Sequence, residues 1–380
     1  MSVRTALRIS RAPVPAFMTL GLFWGCFAAL APVLKAQIGA DDATYGLLLL
    51  GTSLGLFATM FAAPAFDRRL GARSMPAGAC LLALAFMTPA LAQTPAVFFL
   101  AMVAVGLGSG LTDVVMNARV SELEARHGRP LMNANHGMFS VAYMTGALVT
   151  GFGREAGLPP VAIFAGFGLV ALGLSTRMRM EVTRFPATGG ARAGFPYGIV
   201  VLCGGIVLLA FMAEAAVESW SALHVERTLG GRAAEGALGP AMLGLAMAVG
   251  RLSGQQLAER FNDLTVIFWA ALLATAGALI AAAALNPLMA YLGFATIGLG
   301  VSVIGPLGLA LVGRLVPEEV RLKAISRAAV IGFAGFFLAP AMMGLISQVS
   351  GLRVAFASVA VLALMLLPLL ALLRRRGGAR

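Results

Sequence analysis

The sequence predicts an all-α polytopic membrane protein with twelve transmembrane helices, and three observations support this prediction. Hydrophobic residues make up 59% of the 380 positions and charged residues only 12%, against about 45–50% and about 25% in soluble domains. The mean hydropathy is +0.90, so the chain has too little polar surface to cover a water-soluble body. The apolar residues also form blocks of about 20, the length that crosses ~30 Å of hydrocarbon as a helix.

Short polar and charged connectors separate these blocks. The first block follows three arginines as a signal peptide does, but it is longer than the apolar core of a signal peptide, so we interpret it as a retained helix. The one long polar stretch, 177–195, divides the blocks six and six. The predicted spans are 14–34, 44–65, 75–93, 96–118, 131–152, 158–176, 196–222, 236–257, 264–285, 287–312, 324–347 and 352–373.

The basic residues orient the chain across the membrane. When the N-terminus is placed inside, the outer connectors hold just five of the 28 basic residues, and the remainder fall on the inner side. This asymmetry follows the positive-inside rule and predicts a bacterial inner-membrane protein with both termini in the cytoplasm. The five outer basic residues are Lys35, Arg154, Arg227, Arg232 and Arg353.

An internal repeat links the two sets of six spans. The tetrapeptide at 105–108 (VGLG) aligns without gaps with 297–300 (IGLG), and Asp67 and Arg68 align with Glu259 and Arg260. Charges are scarce in this chain, so their recurrence at the same point of each half indicates two parallel six-helix repeats. We therefore predict an N-terminal bundle over 1–176, a cytoplasmic linker over 177–195 and a C-terminal bundle with a basic tail over 196–380.

With these features in view, the chain resembles the major facilitator superfamily over essentially its whole length. The segment 67–73 (DRRLGAR) is similar to the acid/basic/glycine loop between the second and third helices of that family, although the spacing and the leading glycine differ. The stretches 106–140 and 214–221 resemble the branch that contains the membrane proteins YbjJ and MosC, which is distantly similar to fucose permeases. Trp24 matches a tryptophan of the first helix, whereas Pro32 replaces the sugar-binding acid of fucose permease, so that sugar specificity does not carry over.

The resemblance implies that spans one, four, seven and ten line a central cavity. Acids within spans four and seven are costly to bury, by roughly 2.5–3.5 kcal/mol each, and normally face protein or water. We expect them to bind substrate or carry protons, although Asp113 could instead form a structural hydrogen bond. Trp220 could be an interfacial anchor, and Glu218 could reach the same interface. His136 could be a structural partner or a proton relay. The candidate cavity residues are Asp113, Asn117, Glu214, Glu218, His136, Trp24 and Trp220.

The aligned charged segments form a candidate cytoplasmic gate. An acid–base cluster at this place could hold the two bundles together on the inner side and stabilise the outward-open state. The alternative for Arg69 and Arg73 is ordinary positive-inside anchoring. The candidate gate residues are Asp67, Arg68, Arg69, Arg73, Glu259 and Arg260.

These features favour a secondary active transporter of a small solute that works by alternating access as a monomer. We expect proton coupling, because carboxylates occupy the spans and no sodium cage is evident. Uptake of a polyol-, sugar- or amine-like metabolite is slightly favoured; efflux of a metabolite or drug, and a non-transporting receptor or assembly factor on the same fold, are the alternatives. The sequence contains no Walker motif, metal-ligand spacing or nucleophile triad, and its basic residues do not form a nucleic-acid surface. We therefore predict no enzyme activity, cofactor, metal or nucleic-acid partner.

Overall fold

The computed structural model describes residues 2–181 and 195–377, and within them it leaves out the side chains of Met60, residues 254–260, Glu319, Leu322 and Arg376. Every described element is helical. Most of the predicted linker, 177–195, lies outside the described residues.

Fifteen α-helices are described, of which the first precedes the predicted spans. They are α1 (Val3–Ile9), α2 (Val14–Gln37), α3 (Asp42–Leu48), α4 (Gly51–Leu70), α5 (Ser74–Leu91), α6 (Pro95–His127), α7 (Met132–Glu155), α8 (Pro160–Ser175), α9 (Tyr197–Leu223), α10 (Ala233–Arg260), α11 (Asp263–Ala283), α12 (Pro287–Leu315), α13 (Arg321–Phe333), α14 (Gly335–Leu364) and α15 (Leu366–Gly377). A π-helical turn, His224–Thr228, continues α9.

Eight helices in the described residues are long and apolar enough to cross a membrane. The last of these segments, Lys323–Arg375, contains a non-helical residue at Gly351, where φ is +81° and ψ is 167°. Residues other than glycine rarely adopt this backbone conformation. Gly351 lies between the last two predicted spans. The total of twelve crossings stays a prediction.

Glycine residues allow the helices to pack closely. A Cβ atom at Gly106 of α6 would collide with the carbonyl oxygen of Thr52 on α4, so a larger residue there would push the two helices apart. Gly106 therefore allows the close helix approach that small residues provide between membrane helices.

Helix contacts run both within and between the two described parts of the chain, the first at 2–181 and the second at 195–377. In the first part α2 packs on α7 and α4 on α6; in the second α11 packs on α12 and α9 on α14. Between the parts, α7 packs along α10, α2 contacts α9, and α3 packs on α14. We name the two ends of the molecule after the residues at either end of the α3–α4 segment: the Asp42 end and the Asp67 end.

Candidate functional site

Three helices, α7, α9 and α10, bring polar side chains together inside the protein. The Arg251 guanidinium group donates from Nη2 to Glu214 Oε1 over 3.2 Å and from Nη1 to Ser140 Oγ over 2.8 Å. The Glu214 residue is 3% exposed and Ser140 2%. Since Ser140 belongs to the first part of the chain, and Glu214 and Arg251 belong to the second, this one side chain links the two parts.

Tyr143 and Glu218 extend this group of residues by one helical turn each. The Tyr143 side chain interacts electrostatically with both Glu214 and Glu218, and its buried hydroxyl has no hydrogen-bond partner among the described residues. Gly244 permits this arrangement, because a Cβ atom there would lie 2.8 Å from the Tyr143 ring. We call Ser140, Tyr143, Glu214, Glu218 and Arg251 the central cluster. Its charged side chains are two carboxylates and one guanidinium group.

His136 borders the central cluster on α7. Its carbonyl oxygen accepts a hydrogen bond of 3.1 Å from the Ser140 hydroxyl, and its ring interacts electrostatically with Arg251. The other side of the ring meets Phe17 edge-on, with 5.0 Å between the ring centroids. Both predicted roles of His136, structural partner and proton relay, are compatible with this position.

Asp113 and Asn117 share one face of α6, as their spacing predicts. The Asn117 amide donates to the Asp113 carboxylate over 3.0 Å and to its backbone carbonyl over 2.8 Å. No cationic partner of Asp113 is found in the part of the chain that the structure describes. Its described contacts therefore do not join it to the central cluster.

The two candidate tryptophans pack against other aromatic rings. Trp24 meets Phe86 edge-on, with 5.3 Å between the ring centroids. Trp220 is fully buried and packs against Tyr45, with 5.8 Å between the ring centroids. The interpretation of Trp220 as an interfacial anchor is therefore wrong. Its indole N–H has no described hydrogen-bond partner, which leaves one donor free inside the protein.

The described side chains of the candidate gate at the Asp67 end form no described ion pair with the second part of the chain. Asp67 pairs with Arg119 of α6, a partner within the same part of the chain that the sequence reasoning missed. Arg68, Arg69 and Arg73 are exposed and take part in no described ion pair, which fits the anchoring alternative for Arg69 and Arg73. The side chains of Glu259 and Arg260 lie outside the described residues.

A second polar network, which the sequence reasoning also missed, joins the two parts of the chain at the Asp42 end. The Asp42 carboxylate accepts hydrogen bonds from Arg227 over 2.5 and 2.8 Å and from Ser347 over 2.5 Å, and it lies 3.0 Å from Lys35 Nζ. Burial opposes ionisation of Asp42, but these hydrogen bonds outweigh it and hold its pKa well below the ordinary value. Asp42 is therefore expected to be ionised at neutral pH in this network.

Two further ion pairs connect the parts at the same end. Arg154 forms a bidentate pair with Glu226 over 2.7 and 2.9 Å, and Arg232 lies 3.4 Å from Glu155. In the described residues, all three ion pairs between the two parts thus lie at the Asp42 end. The adjacent opposite charges at 154–155 and 226–227 were the available sequence signal.

Comparison of the sequence with protein families agrees with this helical fold. The family model of the Major Facilitator Superfamily matches residues 14–303 and 200–380. The chain belongs to the Major Facilitator Superfamily. It is therefore a multi-pass membrane transporter and not an enzyme.

Relatives of this facilitator match it along most of their length. An uncharacterised MFS-type transporter of Yersinia pestis is 31% identical over 355 residues, which cover 92% of this chain and 91% of the relative. Membrane protein MosC of Rhizobium meliloti is 28% identical over 347 residues, covering 88% and 83%. The predicted resemblance to the MosC-containing branch is consistent with these matches.

Solved structures with little sequence identity share the facilitator fold. A bacterial homologue of the human lysosomal transporter Spinster, inward-facing and occupied, superposes with a TM-score of 0.75 at 16% identity, covering 97% of this chain and 96% of that one. A D-xylose–proton symporter gives 0.72 at 14% identity, with 94% and 96% covered.

Proposed function

We propose that this facilitator is a proton-coupled transporter of a small polar solute and that the central cluster binds both the proton and the solute. The proposal rests mainly on one observation: Arg251 bridges Glu214 of the second part and Ser140 of the first. Alternating access requires that the two parts move against each other around the bound solute. A charged side chain that contacts both parts can respond to a proton and influence that movement.

The charge balance of the central cluster favours protonation. Glu214 and Glu218 lie one helical turn apart and interact with one guanidinium group, so one carboxylate is in excess. Protonation of Glu214 removes the charge that pairs with Arg251, and Arg251 is then free to change its partners. The cluster thus contains a proton acceptor whose state alters a contact between the two parts.

The same groups indicate a class of solute. The free Tyr143 hydroxyl, the Ser140 hydroxyl and the carboxylates suit a solute with several hydroxyl groups, and the excess carboxylate suits an amine. We therefore favour uptake of a polyol-, sugar- or amine-like metabolite. Efflux of a metabolite or drug through the same cluster is the second candidate, since the excess negative charge also accommodates a cationic drug.

The charge asymmetry of the connectors supports a topology with the Asp42 end outside and both termini in the cytoplasm of a bacterium. Residues 1–176 and 196–380 then form the two bundles that move. The three ion pairs at the Asp42 end join the two bundles on that outer side, which supports an assignment of this conformation as closed to the outside. We further propose that the monomer is the functional unit.

The function is tested with purified protein in proteoliposomes. Solutes are first screened by thermal stabilisation with polyols, sugars and amines, and a radiolabelled form of the best solute is then offered under an imposed proton gradient. We expect accumulation by the wild type, and none by Glu214→Gln, which still exchanges solute across the membrane because exchange needs no net proton movement.

The matched control is Glu318→Gln, because Glu318 is a carboxylate on the surface, with 86% of its side chain exposed. This variant should accumulate solute as the wild type does. Accumulation that persists in Glu214→Gln, or that depends on a sodium gradient, contradicts the proposal.

A further inference from the structure

A pocket lies at the Asp67 end of the second part, away from the central cluster. It has a volume of about 350 Å³ and lies where α11 begins and where α12 and α15 end. This volume falls within the ~300–1,000 Å³ of small-molecule sites. None of these three helices contributes to the central cluster, so the pocket is separate from the proposed solute site.

The charged side chains described in the pocket wall leave a positive excess. Asp263 is buried and pairs with Arg314, which keeps 61% of its side chain exposed. Arg374, also in the wall, is exposed and has no partner among the described residues. Among the described residues, one carboxylate is thus neutralised and one guanidinium group has no counter-charge, which favours an anionic ligand.

The remaining described wall is apolar apart from Asn262. Leu311, Leu315 and Leu373 line the pocket, and Phe261 stands at its edge with 59% of its surface exposed. An apolar strip continues along α11 from this edge, where Trp269 is 65% exposed. Cationic groups at the end of the helices above an apolar strip match the two halves of a lipid, a charged head group and its acyl chains.

We propose that this pocket binds an anionic phospholipid, whose phosphate contacts Arg314 and Arg374 and whose acyl chains lie along α11. Guanidinium groups suit this role because their N–H groups match phosphate oxygens in pairs. The apolar strip favours a lipid over a free phosphate ion, which has no acyl chain to place there.

Native mass spectrometry of the full chain in neutral detergent tests the proposal. The protein is incubated with phosphatidylglycerol or with phosphatidylcholine, and the bound lipid is counted in the wild type, Arg374→Gln and Arg375→Gln. Arg375 is the matched control, since it is adjacent and exposed but lies outside the pocket wall. We expect Arg374→Gln to weaken phosphatidylglycerol binding about fivefold, the effect of one basic residue near anionic lipid, and Arg374→Lys to restore part of it.

Three results would overturn the proposal. An equal loss in Arg374→Gln and Arg375→Gln would show diffuse attraction by the basic tail. Equal binding of the two lipids in the wild type would show that charge is not recognised. Displacement of phosphatidylglycerol by inorganic phosphate at equal concentration would show a soluble-anion site. Thermal unfolding without added lipid confirms that the variants are folded.

Discussion

Arg251 is the side chain on which both the packing of the helices and the proposed function depend. Its guanidinium group satisfies a buried carboxylate on α9 and a hydroxyl on α7. A buried charge that loses its partner is costly, because water is not available to replace it. The Arg251–Glu214 pair is therefore stable while both side chains are charged, and the loss of either charge destabilises the protein.

This sensitivity gives a prediction for Arg251→Gln. Removal of the cation leaves Glu214 buried without a counter-charge, so we expect a loss of about 3 kcal/mol in stability. Adding Glu214→Gln to that variant should recover most of the loss, since no uncompensated charge is then left at position 214. Thermal unfolding in detergent measures both effects.

The control for that comparison is Arg73→Gln, which removes an exposed arginine with no described ion pair and should unfold as the wild type does. A double variant as unstable as the sum of the two single changes would contradict the pairing of Glu214 with Arg251.

At the residue scale, the sequence predicted a contact between residues on the same helix but did not predict contacts between residues that are distant in the chain. The contact between Asp113 and Asn117 follows from their separation of four on one helix. The partner of Glu214 is 37 residues away on another helix, and the partner of Asp67 is 52 residues away. No periodicity in one sequence reveals such pairs, because they depend on how helices pack.

At the scale of helices, the apolar blocks predicted where helices lie better than where they end. The fourth span was predicted to end at residue 118, but α6 continues to His127. Its polar extension is stable because Arg119 and Glu122 are buried and paired rather than exposed to lipid. Hydropathy alone therefore underestimates the length of a helix whose charged side chains are paired within the protein.

The contact between α3 and α14 depends on a glycine in each helix. A Cβ atom at Gly344 would lie 3.1 Å from the Gly46 Cα atom and would collide with the carbonyl oxygen of Asp42. We therefore expect Gly344→Val to separate the two helices and open the Asp42 end. Spin labels at Asp41→Cys and Val349→Cys, in a background without native cysteines, should show a longer distance in this variant.

Gly166→Val is the control, because a Cβ atom at Gly166 of α8 meets no atom within 4 Å. The label distance should not change in that variant. An unchanged distance in Gly344→Val, with the protein folded, would contradict the role of close packing in closing this end.

At the scale of the whole molecule, the two ends differ in how the parts of the chain are joined. The described ion pairs between the parts lie at the Asp42 end, whereas Asp67 pairs within its own part. The sequence predicted the family and the general fold, because composition and repeated motifs are visible in one chain. It could not predict at which end the described ion pairs join the two parts, because these pairs connect residues more than 70 positions apart.

The central claim is that protonation of Glu214 alters how the two parts of the chain meet. When Glu214 takes up a proton, Arg251 loses its charged partner and its hydrogen bond to Ser140 is no longer held in place. Opening of the Asp42 end should therefore increase as the pH falls. Asp42 does not cause this change, because its pKa lies well below the ordinary value and it stays charged across the range tested.

The most direct test is the distance between labels at Asp41→Cys and Val349→Cys, measured from about pH 8 to about pH 5, a range that spans physiological proton concentrations. In the wild-type background the account predicts a growing population of long distances as the pH falls. In Glu214→Gln, which lacks the charge at every pH, it predicts a large and constant population of long distances. A pH response of the same size in Glu214→Gln, or no response in the wild-type background, would contradict the account.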